Sequence, residues 1–292
     1  MRFSRSSKRL SSRFGLTSPQ PNFFIAGAPK AGTTSLYHYL DQHPEIYMSP
    51  VKEANYFAPE IRLENFAEEH QGSVSRDMEA MQSYLAGPMS SKRFGAVGLA
   101  WDDYLRLFRN AREQKAIGEG SVSYLWSASA ARNILERIPN AKLIFILRDP
   151  AERAFSQYGQ SVDKGSTNVS HLETCRESTK ESDGKFRVFR PFLEMGLYAD
   201  ALKRYLDLFP RENLYISFYE DYQRDAVGMI ANILRFLEVN DDFKPDMSKR
   251  YLVRAGGSTM APEDRAFLTA FYKEDVRKLA QLLNRDLSHW MR

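Results

Sequence analysis

A single cysteine, Cys175, in 292 residues excludes an intrachain disulfide, so the chain has no need of an oxidising compartment. The five histidines, His38, His43, His70, His171 and His289, are scattered, with no HExxH or CxxC spacing beside them, and a structural metal is not expected. No apolar run approaches the roughly 18 residues of a membrane span. Acidic residues are missing from the first twenty positions, which carry Arg2, Arg5, Lys8, Arg9 and Arg13. Setting those five aside leaves 36 basic against 37 acidic residues, so the formal charge of +4 sits at one end and the body is near neutral. Nothing in that body argues for nucleic-acid binding. The Ser- and Arg-rich start has no apolar core of a secretory signal. It fits a transit peptide, a membrane-surface or nucleic-acid arm, or a disordered terminus, and residues 1–21 are read as a disordered segment.

What is present is a chain of ordinary apolar content, 43%, long enough for one large core. Residues 22–292 are therefore read as one domain. A short apolar run at 22–26 stops at Gly27, and 34–42 continues with helical spacing until His43-Pro44 ends it. A second strand is expected at 46–48. From Asp102 the spacing of Tyr104, Leu105, Phe108 and Ala111 predicts a helix, followed by a strand at 116–118 and a helix at 128–138. The run KLIFIL at 142–147 has the continuous apolarity of a parallel strand covered on both faces, and Pro150 opens a helix after it. Helices at 198–209, 227–237 and 262–283 and a strand at 214–218 complete the pattern. Residues 59–100 read as an insertion with partial helix, and the polar stretch 163–183 as a mobile excursion with few apolar anchors. Strands alternating with helices imply α/β architecture, with ligands at the carboxyl ends of a mainly parallel sheet.

The loop between the first strand and helix is almost a Walker A phosphate cradle, GxxxxGK[ST]. Gly27 and Gly32 hold the glycine positions and Thr34 the hydroxyl, but Thr33 occupies the lysine position and the nearest lysine is Lys30. Backbone amides from Gly27 to Ser35 and the positive end of the helix form an anion site, with glycine at 32 permitting close approach. A lysine and three hydroxyls, Thr33, Thr34 and Ser35, stand on the anion side. The cradle is kept while its cation has moved.

With its displaced lysine, GAPKAGTTSLYHYLDQHPEI resembles the 5′-phosphosulfate loop of the sulfotransferases that use 3′-phosphoadenosine 5′-phosphosulfate (PAPS), most closely their carbohydrate and bacterial branch. The resemblance implies a P-loop-type three-layer α/β/α fold, and a Lys30 that reaches the oxygen bridging phosphate and sulfate, where charge builds as the bond breaks. Lys30, Ala31, Gly32, Thr33, Thr34 and Ser35 would hold the phosphosulfate. PVKEANYF at 50–57 is similar to the family's motif in which a glutamate precedes paired aromatics, which makes Glu53 the base that takes the acceptor's proton. Lys52 beside it would contact the acceptor or leaving group, or be solvated; taken alone, Glu53 would be an exposed charge next to it. LIFILRDPAERAFSQY at 143–158 looks like the family's 3′-phosphate segment, so Arg148 and Ser156 are expected on that phosphate; the arginine's planar fork suits it, and the plain alternative is a strand-end ion pair with Asp149. VRAGGS at 253–258 occupies the position of a closing nucleotide loop, giving Arg254, Gly256 and Gly257. GEGSVSYL at 118–125 and LYISFYEDYQRD at 214–225 also look like family segments, with structural or acceptor-side roles.

The reaction so implied moves a sulfuryl group in line from PAPS to a hydroxyl or amine of a saccharide or small natural product, leaving adenosine 3′,5′-bisphosphate and requiring no metal. The expected location is the cytoplasm, with the acceptor pocket walled by 59–100 and 163–190. A Mg-ATP kinase would instead place Asp149 and Thr34 on the metal, and the absent lysine at 33 speaks against it. A non-catalytic nucleotide-binding protein would have no use for Glu53.

Overall fold

The computed structural model describes residues 19–180, 184–187, 191–249, 251 and 259–292. Its strands in chain order are β1 (Phe23–Ile25), β2 (Ile46–Met48), β3 (Val51–Lys52), β4 (Arg93–Phe94), β5 (Ala116–Gly120), β6 (Lys142–Leu147) and β7 (Leu214–Phe218). Five form one sheet in the order β2-β5-β1-β6-β7, every neighbouring pair parallel. Successive side chains of a strand point to opposite faces. Because Phe23, Phe24 and Ile25 of β1 and all of Leu143 to Leu147 in β6 are buried, helices must cover both faces, as in a three-layer α/β/α fold.

β1 lies between strands that come later in the chain, β5 on one side and β6 on the other. The carboxyl end of β1 is therefore a topological switch point, where an open parallel sheet leaves a crevice for a ligand. The loop after β1 stays close to the sheet: the amides of Ala26 and Ala28 donate to the carbonyls of Ile144 and Ile146, each at 2.9 Å. A Cβ on Gly27 would lie 2.5 Å from the Ile146 amide nitrogen, so this position has no room for any side chain.

Several boundaries differ from the sequence expectation for identifiable reasons. The helix expected to run on through Ala111 is Trp101–Arg106, because Phe108 and Ala111 are buried by turns rather than by a continued helix. The insertion at 59–100 holds a 19-residue helix, Glu68–Ala86, that buries only Val74, Met81 and Leu85, which is why its apolar stripe is faint in the sequence. The stretch 163–183 is not only an excursion: Ser170 caps a helix, His171–Ser178, that buries His171, Thr174 and Cys175. This helix packs on the long helix Pro262–Leu283, with the His171 ring 3.3 Å from the Asp264 carboxylate. Its anchors are a histidine, a threonine and a cysteine, which an apolar count overlooks. The two-residue strands β3 and β4 pair in parallel, Val51 with Arg93 and Lys52 with Phe94, and so tie the insertion to the segment that carries Glu53.

Candidate active site

The loop after β1 reaches the helix Thr33–Leu40 through Lys30 and Gly32, both left-handed, with φ of 64° and 86°. Glycine suits the second position without strain, whereas lysine at the first is held by its surroundings. The first bond of the helix is Leu36 N–H to the Gly32 carbonyl at 3.1 Å, and no side chain caps this end. The amides of Thr33, Thr34 and Ser35 thus face outward at the positive pole of the helix, the arrangement that binds a phosphate or sulfate. Thr33 and Ser35 are buried and Thr34 is partly exposed, so the three hydroxyls are not equivalent. The Ser35 hydroxyl accepts the Tyr251 amide at 3.3 Å.

Lys30 donates from its ammonium to the side-chain oxygen of Gln160, on the helix Pro150–Asp163, at 3.2 Å. Its carbonyl accepts from Arg148 at 2.9 Å, which brings the displaced lysine and the strand-end arginine together. Burial lowers the Lys30 pKa to about 8, and the positive charges of Arg148 and Lys164 push the same way, with Asp163 opposing. Two cations at the edge of one crevice disfavour each other, and an arriving anion relieves both.

Arg148 follows β6 and stacks on Tyr219, its guanidinium carbon 4.7 Å from the ring centroid. The alternative ion pair with Asp149 does not form. Asp149 caps the helix Pro150–Asp163 by accepting from the amides of Ala151 and Glu152, at 2.9 and 3.4 Å, and pairs with Arg265 at 2.7 Å. Arg148 meets Glu152 at 3.6 Å instead. Ser156 stands two turns along the same helix, partly exposed. Tyr219 is a site residue that sequence reasoning missed; besides stacking on Arg148, its ring lies 3.4 Å from where a Cβ on Gly32 would sit. Gln160 was missed too. A polar residue in the middle of a helix gives no sign that it faces a loop 130 residues away.

Glu53 follows β3 on the other flank of β1. Its φ is 63°, and its amide donates to the Gly120 carbonyl at the end of β5, at 2.8 Å. One carboxylate oxygen accepts the Val122 amide at 2.8 Å, and the other meets the Lys52 ammonium. Neither side chain is solvated: Lys52 is 4% exposed and Glu53 7%. The plain alternatives, a solvated Lys52 and an exposed Glu53, are therefore not what the structure holds. The ammonium is packed against the Phe94 ring and committed to the carboxylate, because a buried charge persists only with a partner. Arg148 directly follows β6, Lys30 stands in the loop after β1, and the Glu53 amide is bonded to the last residue of β5, so all three gather at the carboxyl side of the five-stranded sheet. Arg254, Gly256 and Gly257 lie outside the described residues.

The family model for the sulfotransferase family matches residues 21–243, which contain the loop, Glu53, Arg148 and Ser156. This chain belongs to the sulfotransferase family. It resembles the crystal structure of a sulfotransferase from Alicyclobacillus acidocaldarius, with 35% identity and a TM-score of 0.77 over 94% of this chain and all of that one. It is 25% identical to the membrane-associated sulfotransferase kil1 of Dictyostelium discoideum over 91% of its length, and 25% identical to carbohydrate sulfotransferase 15 of Mus musculus over 92%. The chain spans 66% of the first of these and 54% of the second. Among the described residues no helix is long and apolar enough to cross a membrane, and no cluster of acidic, histidine and cysteine side chains could hold a metal.

Proposed function

We propose that this sulfotransferase moves the sulfuryl group of PAPS to a hydroxyl or amine of a saccharide acceptor. The observation that carries this reading is the pairing of Lys30 with Arg148 at the switch point, on the opposite side of β1 from a buried glutamate. The outward amides of residues 33–35, with Lys30, bind the phosphosulfate. Arg148, aided by Ser156, binds the 3′-phosphate, which is remote from the bond being broken and so contributes positioning. Glu53 accepts the acceptor's proton as its oxygen or nitrogen attacks sulfur. The bond between sulfur and the bridging oxygen breaks, its electron pair stays on that oxygen, and Lys30 offsets the charge that develops there. Adenosine 3′,5′-bisphosphate leaves.

The names of the carbohydrate sulfotransferase relatives support a saccharide over other alcohols. The proposed location is the cytoplasm. A Mg-ATP kinase fits less well: the aspartate it would place on the metal, Asp149, is already committed to a helix cap and to Arg265. The direct test is a screen of sulfur-labelled PAPS against sugars, amines and alcohols, with and without a chelator. Label on a sugar, undiminished by the chelator, is expected. Transfer only of phosphate from ATP, abolished by the chelator, would overturn the proposal.

A further inference from the structure

Behind Glu53 lies a second carboxyl group that the reaction does not use. Glu119, in β5, is completely buried, yet it sits one residue before the carbonyl that holds the Glu53 amide. A buried carboxylate is tolerated only when donors surround it. Glu119 has three, all hydroxyls: Ser121 at 2.7 Å on one oxygen, and Tyr104 at 3.3 Å together with Tyr124 on the other.

The Ser121 hydroxyl spends its single proton on Glu119, so its lone pairs face outward. There they accept the Asn55 amide at 3.1 Å. Asn55 and Glu53 are both left-handed, with φ of 57° and 63°, a costly pair of conformations in non-glycine residues. The Asn55 side chain holds this turn from within, donating to the carbonyls of Glu53 and Ala96 at 2.8 and 3.1 Å, while Ser123 donates to its oxygen at 2.7 Å. A chain of directed hydrogen bonds thus runs from Glu119 through Ser121 to the strained turn that presents the base.

We propose that Glu119 is a positioning residue for Glu53: as an ionised acceptor it orients the Ser121 hydroxyl, which fixes the Asn55 amide and with it the turn that aims the carboxylate at the acceptor. This rests on the reading of Glu53 as the base. The direction of every proton in the chain depends on Glu119 being a pure acceptor. A carboxylic acid in its place carries one donor hydrogen and an amide two, and a hydroxyl that faces such a donor loses its acceptor. Burial, joined by the Glu53 charge, raises the Glu119 pKa to about 7 against the hydrogen bonds from Tyr124, Ser121 and Tyr104, which hold it down. The other groups facing it are Tyr104 from helix Trp101–Arg106, Tyr124 from helix Ser123–Trp126 and Tyr37 from helix Thr33–Leu40; burial raises all three phenols well beyond the neutral range, so they remain neutral donors.

Glu119→Gln preserves shape but removes the charge and puts an NH2 donor where one acceptor oxygen stood. It is expected to lower kcat by on the order of tenfold to a hundredfold, as a small misaiming of a reacting group does, while the Kd for adenosine 3′,5′-bisphosphate stays within about twofold of wild type. Wild-type kcat should fall as pH drops through about 7, and E119Q should lack that limb. Ser121→Ala, which leaves the tyrosine bonds to Glu119 intact, should reproduce the kcat loss and decides the matter if E119Q does not fold. Wild-type kcat with an unchanged pH profile in both variants would overturn the proposal. So would a kcat loss accompanied by an equal loss of nucleotide affinity, which would mark Glu119 as structural only. A wild-type chain that transfers no sulfate would instead refute the functional reading beneath it.

Discussion

Lys30 is the cation whose position separates this site from a Walker loop, and its acidity makes it separately measurable. With a pKa near 8 the free protein carries half of its Lys30 as neutral amine at that pH, and each further unit costs about tenfold in the ammonium that meets PAPS. The 3′-phosphate is fully ionised well below this range, its second pKa lying near about 6. The kcat/KM for PAPS, which reports the free enzyme, should therefore fall with unit slope above about pH 8, measured with a sugar acceptor that does not itself titrate. In kcat the limb should move to higher pH, because bound PAPS brings negative charge that favours the ammonium. Lys30→Arg keeps the charge throughout. Its kcat/KM should be lower, since a fork replaces a point charge beside Gln160, but level across the same range. A wild-type profile flat to about pH 10, or a limb that persists in K30R, would show that Lys30 is not the group titrating at the nucleotide.

Glu53→Gln should reduce kcat by about 10²–10⁴-fold while adenosine 3′,5′-bisphosphate binds as before, by steady-state kinetics and calorimetry, because proton removal is lost and the nucleotide cradle is untouched. Gly27→Ala should lower folding stability by about 1–3 kcal/mol in a denaturant titration, the usual cost of overpacking, since its methyl would meet the Ile146 backbone. Adenosine 3′,5′-bisphosphate should raise the melting temperature well above the shift given by the same concentration of ATP, in a thermal denaturation assay.

The parts of the site legible in the sequence are those where backbone and chemistry coincide. KLIFIL is a strand by its apolarity alone, Pro150 opens a helix by its fixed φ, and the Gly27 to Thr34 spacing is a cradle whatever the fold around it. Glu53 and Arg148 are proposed from motifs that lie next to such elements. What escaped were the contacts made through space. The burial of Lys52 depends on Phe94 and the Glu53 carboxylate, and only the pairing of β3 with β4, 42 residues apart, brings Phe94 there. The role of Tyr219 depends on β7 lying beside β6, and that of Gln160 on the helix face turned to the loop. Glu119 read as part of a family segment of structural or acceptor-side role. Its three hydroxyl partners come from helices and turns that an inspection of neighbours in sequence joins only in part.

On the proposed reading, the crevice at β1 accepts a nucleotide phosphorylated at both ends of its ribose. Calorimetric titration of adenosine 3′,5′-bisphosphate and adenosine 5′-monophosphate into wild type and Arg148→Ala measures that preference. Wild type should bind the bisphosphate at least about tenfold more tightly than the monophosphate, as a charge-assisted bond of about 1.5–3 kcal/mol requires, and R148A should bind the two alike. Equal affinities in wild type, or undiminished preference in R148A, would contradict it.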